Sequence, residues 1–378
     1  MKDETILTNA ALVLPDCVLH GTLVLRGELI ADIQPGRSTA PGAIDLGGDT
    51  LISGVVDVHT DNLERQVFPR SNARWPSRSA LIAHDAQCAV AGVTTVLDAL
   101  CLGDLGFDKD RVRTFRDGVA DLDALGAADL FKAEHFLHLR CEVPAADMLD
   151  LFAPVADHPR VRMVSLMDHT PGVGQYADLD RYRALRRQGG MPDDEIDWRI
   201  AEMQATRARL RNKQRRTLLD CLAGRELALA SHDDRTEEDI AENAADGIRV
   251  SEFPVTLVAA RAAKRMGMQV VAGAPNVVRG GSHSGNVPVA ALLAENAVDA
   301  LASDYVPSSL IEAAFQCARG GIPLPAAVAL VTEQPARLAG LTDRGRLAVG
   351  WRADLVRVRV HEDLPIVRQV WRAGERVA

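Results

Sequence analysis

Five apolar, strand-like segments of this chain each run directly into a histidine or a carboxylate. Ile52-Ser-Gly-Val-Val-Asp-Val-His-Thr-Asp61 ends in His59 and Asp61, and Phe136-Leu-His-Leu-Arg-Cys-Glu142 carries His138, Arg140 and Glu142 at alternate positions. Later segments end in Asp168-His169, in His232 and in Asp304. Residues two apart in a strand share a face, so His59 with Asp61, and Arg140 with Glu142, are expected to project together. Imidazole nitrogens and carboxylate oxygens are donors for zinc, manganese or iron. A lone histidine after a strand is more often a loop residue or a satisfied core group. The recurrence points instead to a shared metal site. His59, Asp61, Glu142, His169, His232 and Asp304 supply six ligands, enough for two divalent cations, with Glu142 as a candidate bridge. Such a pair activates water and polarises a phosphoryl or carbonyl oxygen.

The elements that must position these groups alternate along the middle of the chain. Strands are predicted at 55–58, 94–97, 136–139, 161–166, 227–230, 249–253, 269–272 and 300–302, with helices such as 80–91 and 290–296 between them. Eight βα units predict an α/β fold, a (β/α)₈ TIM-type barrel over 55–344. Catalytic groups of such barrels lie at the C-terminal ends of the strands, where the polar residues fall here. The two ends, 1–54 and 345–378, are rich in strands and turns and predict one small β-sandwich domain built from both termini. Residues 175–225 break the rhythm with a long, arginine-rich helical insertion, read either as a lid or as a solvated helical hairpin. His84-Asp85 reads as a helix start with Asp85 as a cap.

The 378 residues are 47% hydrophobic and 25% charged, as in an ordinary globular protein. A net charge of −9 gives no general field for nucleic acid. Six scattered cysteines without a Cys-x-x-Cys pair, and no signal peptide at Met1-Lys-Asp-Glu4, lead to an expectation of a cytoplasmic protein with core thiols. No apolar run approaches the roughly 20 residues that cross a bilayer. The small β-domain offers a surface for a homodimer.

The His-x-Asp at the first strand, His169 and His232 taken as the histidines of the fifth and sixth strands, and Asp304 at the eighth together resemble the amidohydrolase superfamily. Gly345-Arg-Leu-Ala-Val-Gly-Trp-Arg-Ala-Asp-Leu355 is similar to its C-terminal signature. The superfamily's usual first motif is His-x-His, so Asp61 departs from it and from the expectation of C–N hydrolysis. A closer resemblance, to the PhnM family of the carbon–phosphorus lyase pathway, covers nearly the whole chain. It rests on His59-Thr-Asp-Asn-Leu63, Trp75-Pro76, Ser165-Leu-Met-Asp-His-Thr-Pro-Gly172, Ala230-Ser-His-Asp-Asp234, Ser303-Asp-Tyr305 and the glycine-rich stretch 273–286. That resemblance implies hydrolysis of a phosphorylated ribosyl phosphonate, α-D-ribose 1-methylphosphonate 5-triphosphate, to the 5-phosphate and diphosphate. It implies bound divalent metal, two ions, with zinc first and manganese, iron or magnesium as alternatives.

Donors for such a polyanion are at hand. Asn276, Arg279, Ser282, His283, Ser284 and Asn286 surround Gly280, Gly281 and Gly285, whose backbone can turn N–H groups toward an anion. From the residues alone, phosphate binding and an ordinary glycine-rich loop stand equal. Arg140 is a candidate for the phosphate or phosphonate, or an ion-pair partner of Glu142 or Asp168. Asp304 is the candidate catalytic base, or a metal ligand only. The rival readings are an amidohydrolase or deaminase acting on a cyclic amide or nucleobase, and a non-enzymatic subunit of a phosphonate-processing complex.

Overall fold

The computed structural model describes residues 4–70, 73–106, 110–282 and 284–378. Its strands are β1 (Glu4–Val13), β2 (Val18–Arg26), β3 (Leu29–Pro35), β4 (Ile44–Asp45), β5 (Thr50–Ser53), β6 (Val55–Thr60), β7 (Val93–Leu102), β8 (Glu134–Glu142), β9 (Val161–Met167), β10 (Ala228–His232), β11 (Val250–Glu252), β12 (Gln269–Gly273), β13 (Ala300–Ala302), β14 (Leu355–His361), β15 (Leu364–Arg372) and β16 (Glu375–Arg376). β6 to β13 pair in parallel, in sequence order, with helices in the connections. A single bridge between Thr60 and Asp304 joins the last strand to the first, so the sheet closes as a (β/α)₈ barrel. The other strands form one sheet, β16-β15-β14-β5-β1-β2-β3 with β4 beside β1. It is one sheet, not the two of the expected sandwich, and it curls so that its ends meet: the turn at Gly374 (φ +81°) lies so close to the carbonyl of Gly27 that no Cβ fits between them.

Period-two alternation inside the barrel explains where the chemistry sits. The inward positions nearest the N-terminal ends are apolar: Val56, Leu97, Phe136, Met163, Val250 and Val271 share one buried cluster, floored by Ala336 and Leu338. One or two pleats higher the same inward faces turn polar, Ala230 giving way to His232, Val250 to Glu252, and Phe136 to His138, Arg140 and Glu142. The lower barrel is therefore plugged and dry, and the polar groups are confined to its C-terminal mouth.

The insertion is a helical hairpin, Leu179–Gln188 and Asp193–Leu222. Arginines of its long helix fasten it to neighbours, Arg207 to Asp168 (2.6 Å) and Arg215 to Asp246 (2.7 Å), while Arg183 and Asp197 (2.8 Å) tie its two helices together. Four cysteines are buried, but Cys17 and Cys221 are exposed rather than core residues. Among the described residues no helix is long and apolar enough to cross a membrane.

Asp85 is no cap. The helix begins at Ser77, and Asp85 lies within it, buried against the outside of the barrel. Its carboxylate accepts from the backbone N–H groups of Lys132 and Ala133 and from His135 Nε2 (3.2 Å), while His135 Nδ1 donates to Asp98 (2.8 Å). His84 Nε2 donates to the other oxygen of Asp98 (2.7 Å), and the amide of Asn62 donates to His84 Nδ1 (2.9 Å). Burial disfavours a charged His135, but Asp98 and Asp85 outweigh it and push its pKa up to about 9 from 6.5. The network is therefore an imidazolium between two carboxylates. The stability it adds is complete below the ordinary pKa of 6.5 and is lost as pH rises through 9. The melting temperature is expected to fall between pH 7 and 9.5, and His135→Gln to remove most of that slope while lowering stability at pH 7. Melting curves of both proteins across that range check this.

Candidate active site

Each strand end delivers its side chain by a local device. On β6 the register with β7 is irregular between Asp57 and Thr60, and Asp57 Oδ1 accepts from the N–H of His59 (3.3 Å) and of Ser303 (3.1 Å). His59 and Asp61 do converge, with Nε2 and Oδ1 3.5 Å apart. They do so through this irregularity and the turn that opens the helix Asn62–Val67, not through a regular strand. Asp233, Phe253 and Asp304, each just past a strand end, have φ of +58°, +53° and +57°. Left-handed backbone is costly for such residues, most of all for phenylalanine. Each is held by a hydrogen bond to the next strand: Asp233 N–H to Glu252 (2.9 Å), Phe253 N–H to Val271 (2.8 Å) and Asp304 N–H to His59 (3.0 Å).

The barrel mouth is a cavity of about 420 Å³. His59, Asp61, His169, His232 and Asp304 line it together, as expected from the sequence. So do Arg140, Asn276, Arg279, Ser282, Ser284 and Asn286; His283 lies outside the described residues. Asn276 also staples its loop, accepting from Val289 N–H (3.0 Å) and donating to the Val287 carbonyl (3.3 Å). Glu142 is placed differently. It is buried behind His169, and its two oxygens accept from His169 N–H (2.8 Å) and Nδ1–H (2.6 Å). Arg140 pairs with neither Glu142 nor Asp168; its Nη1 donates to Asp61 at 2.5 Å. His169 follows the fourth barrel strand and His232 ends the fifth, correcting the count made from the sequence.

The sixth strand ends in Glu252, which the sequence reading passed over, together with Asp233. Glu252 is fully buried and accepts from His59 Nδ1 at 2.8 Å. The period-two step from Val250 would have shown it. Asp233, beside His232, reaches the cavity only through its left-handed backbone. His138 lies beneath the site, its Nδ1 donating to the Val58 carbonyl (3.0 Å) and its Nε2 accepting from Ser165 (2.8 Å). Burial lowers its pKa to about 3 and keeps it neutral, and the Val58 carbonyl, an acceptor only, places the one ring proton on Nδ1.

The donors group in three overlapping sets whose ligand atoms lie within 4.8 Å of one another: His59, Asp61 and Asp304; His59, His232 and Glu252; His169, His232 and Asp233. His59 Nε2, both His232 nitrogens, Asp233 Oδ2 and Glu252 Oε2 are buried and make no well-directed hydrogen bond, although His232 Nδ1 and Asp233 Oδ2 stand 3.1 Å apart. Five orphaned donor and acceptor atoms in one spot would be costly in an apolar core, and a cation satisfies them. The electrostatics agree. Burial opposes protonation of His59, yet Glu252 and Asp61 push it up to about 10. Burial would raise Glu252, but His59 and His138 hold it down at about 2. Asp304 is raised to about 6 by burial and by Asp61 beside it. Carboxylates that force a proton onto an imidazole here attract a metal ion equally, and these residues fit one. The carboxylate–histidine pairs Glu142–His169 and Glu252–His59 direct the opposite ring nitrogens inward, the arrangement that orients histidine ligands.

A parallel eight-stranded barrel with histidines and carboxylates at its rim, and a second sheet from both termini, is the amidohydrolase architecture. The amidohydrolase family model matches residues 193–378. The chain is 39% identical over 376 residues, 98% of its length and 100% of the relative's, to an alpha-D-ribose 1-methylphosphonate 5-triphosphate diphosphatase from Escherichia coli K12. Solved structures share the fold at low identity. N-acetylglucosamine-6-phosphate deacetylase from Pasteurella multocida aligns with a TM-score of 0.64 at 13% identity, over 99% of both chains. N-isopropylammelide isopropylaminohydrolase from Burkholderia multivorans aligns with a TM-score of 0.61 at 18% identity, over 99% of this chain and 97% of that one. The chain belongs to the amidohydrolase family and, within it, to the family of the Escherichia coli diphosphatase.

Glu142→Gln tests whether Glu142 orients His169 or holds metal itself. An amide oxygen still accepts from His169, so metal affinity is expected to fall by about 10- to 100-fold, the usual cost of losing such a partner. Titration of the stripped variant with zinc and manganese measures it. Near-complete loss of binding would make Glu142 a direct ligand.

Proposed function

We propose that the chain hydrolyses alpha-D-ribose 1-methylphosphonate 5-triphosphate to the 5-phosphate and diphosphate. The observation that carries this reading is the meeting, in one cavity, of a cation-deficient histidine–carboxylate floor with arginines and a glycine-rich loop, on a chain 39% identical end to end to a diphosphatase of that name. A site for a neutral cyclic amide has no need of Arg111, Arg140, Arg186 and Arg279 around its mouth.

Two divalent ions suit the donor sets, zinc first. His59, Asp61 and Asp304 would hold one, and His169, His232 and Asp233 the other, with Glu252 and Glu142 orienting histidines. When bound, such ions supply Lewis acidity toward a phosphoryl oxygen and lower the pKa of water. The chain's own groups do the rest. The glycine-rich loop and the arginines hold the anionic substrate and stabilise charge that grows on the phosphoryl oxygens. Asp304, at the point where the first and last strands meet, accepts the proton of the attacking water on a carboxylate oxygen. A new P–O bond forms, the anhydride bond breaks, and its electron pair leaves with diphosphate. A raised carboxylate pKa suits a general base at neutral pH.

Purified, metal-loaded protein should release diphosphate and no ammonia, which phosphorus NMR and an ammonia assay separate. Asp304→Asn is expected to keep most of its metal and lose about 10²–10⁴ in kcat. Arg279→Ala should raise KM by about tenfold or more with a smaller change in kcat. Ammonia from a cyclic amide or nucleobase, with Arg279→Ala fully active, would replace this reading by a deaminase.

A further inference from the structure

The cavity has two unlike walls on opposite sides of the barrel. Around β7, β8 and β9, one strand and two connections bring in three guanidinium groups: Arg111 from the helix Asp110–Ala127 after β7, Arg140 from β8, and Arg186 from the insertion helix Leu179–Gln188 after β9. Across the mouth, four strands around from β8, the loop after β12 brings Arg279 and small polar groups such as Ser282 and Ser284. The metal-fitting floor lies between them.

The first wall is built and held. Arg140 is buried, bonded to Asp61 at 2.5 Å, and its Nε faces the sulfur of Met167 at 3.3 Å. Arg111 lines the same cavity, and its nearest ion-pair carboxylate, Glu64, is 3.9 Å away. Arg186 stacks on Tyr182 (4.9 Å), whose ring meets Tyr176 edge-on (5.4 Å), and Tyr176 packs against His169. Asp61 and Glu64 offset part of this positive charge, and an anion in the cavity would offset the rest. The second wall is looser and carries less charge. Arg279 is exposed, and the guanidinium of Arg181 reaches over from the insertion onto Gly285, whose φ of +74° favours glycine.

We infer that Arg111, Arg140 and Arg186 form the subsite for the departing diphosphate, and that the loop after β12 takes the opposite, less charged end of the substrate, the phosphonate. The inference rests on the reaction proposed above and adds the direction in which the substrate lies. The end with more charge takes the wall with more guanidinium groups, whose planar forks suit phosphoryl oxygens. Arg140, touching Asp61, puts that wall directly beside the floor where the anhydride bond breaks. The insertion thereby has a part in chemistry: it carries Arg186 to the subsite and lays Arg181 on the far loop.

The test is direct binding of inorganic pyrophosphate and of methylphosphonate to the metal-loaded full chain by calorimetry. Arg111→Gln and Arg186→Gln should each weaken pyrophosphate binding about tenfold or more and change methylphosphonate less than about twofold. Arg279→Gln should do the reverse. Arg186→Lys keeps the charge without the fork and should fall between. Unchanged melting temperatures separate these effects from misfolding, since Arg111 and Arg186 are partly exposed. The assignment is overturned if Arg279→Gln is the variant that weakens pyrophosphate, if neither Arg111→Gln nor Arg186→Gln does, or if the wild type does not bind it. Binding needs no turnover. Protein that holds pyrophosphate on these arginines but releases none from the ribosyl triphosphate would sink the reaction and keep the subsite; active protein with unaltered pyrophosphate binding in both variants would do the opposite.

Discussion

Barrel closure and site assembly are the same hydrogen bonds. β13 meets β6 only at the mouth, where Asp304 N–H donates to the carbonyl of His59 and Asp61 N–H donates to that of Asp304 (2.6 Å). The three residues that close the circle are also three whose side chains converge as donors. Sheet closure removes an edge that would otherwise expose unpaired backbone groups, and here that gain offsets the left-handed backbone of Asp304. A shift of β13 by one residue would turn Asp304 away from His59 and open the barrel together. The spacing of these donors is thus fixed by the fold's own closure rather than by any loop.

The second constraint is the contrast between satisfied and unsatisfied polar groups. Outside the barrel, His84, Asp85, Asp98 and His135 are as deeply buried as the groups at the mouth and equally rich in ligand types. Every ring nitrogen there has a partner, and the imidazolium between its two carboxylates leaves a single net negative charge, spread over backbone and side-chain donors. At the mouth the same residue types are left with unpaired atoms and too many carboxylates. Composition alone does not separate a structural network from a metal site; the accounting of each lone pair and proton does. The outer network also touches the site, because Asn62, bonded to His84, directly follows Asp61.

Much of this was legible in the sequence because barrels translate period two into depth. Wherever an apolar strand ended in a polar residue, the inward face predicted the rim, and five of the six residues named as ligands line the cavity. The failures have physical causes. Glu142 obeys the same alternation, yet His169 follows β9 by two residues and folds back onto it, so the carboxylate bonds the histidine instead of facing the cavity. Asp233 was hidden because no pattern of hydrophobicity announces a residue with positive φ. Asp85 was misplaced because the helix starts eight residues earlier, at Ser77 after Pro76, which carries no side-chain cap to mark it. Glu252 was within reach and missed because β11 is only three residues long and offers a short pattern.

The insertion shows how a barrel acquires specificity without altering its floor. The hairpin is fastened at its long helix by ion pairs with Asp168, Glu242 and Asp246, which belong to the connections after β9 and β10. Its short helix has fewer such ties, and that helix and the turn Gly174–Tyr176 before it face the cavity with Arg186 and with Gln175 and Tyr176. Buried anchors on one arm and substrate-facing groups on the other divide the labour of holding and reading. Ion pairs near a surface contribute little each, so the long helix also buries Ile196, Ile200, Met203, Leu218 and Leu222. Those apolar contacts, roughly 1.5–3 kcal/mol for each fully buried side chain, keep the short arm over the mouth. The charges then fix its register, and with it the position of Arg186.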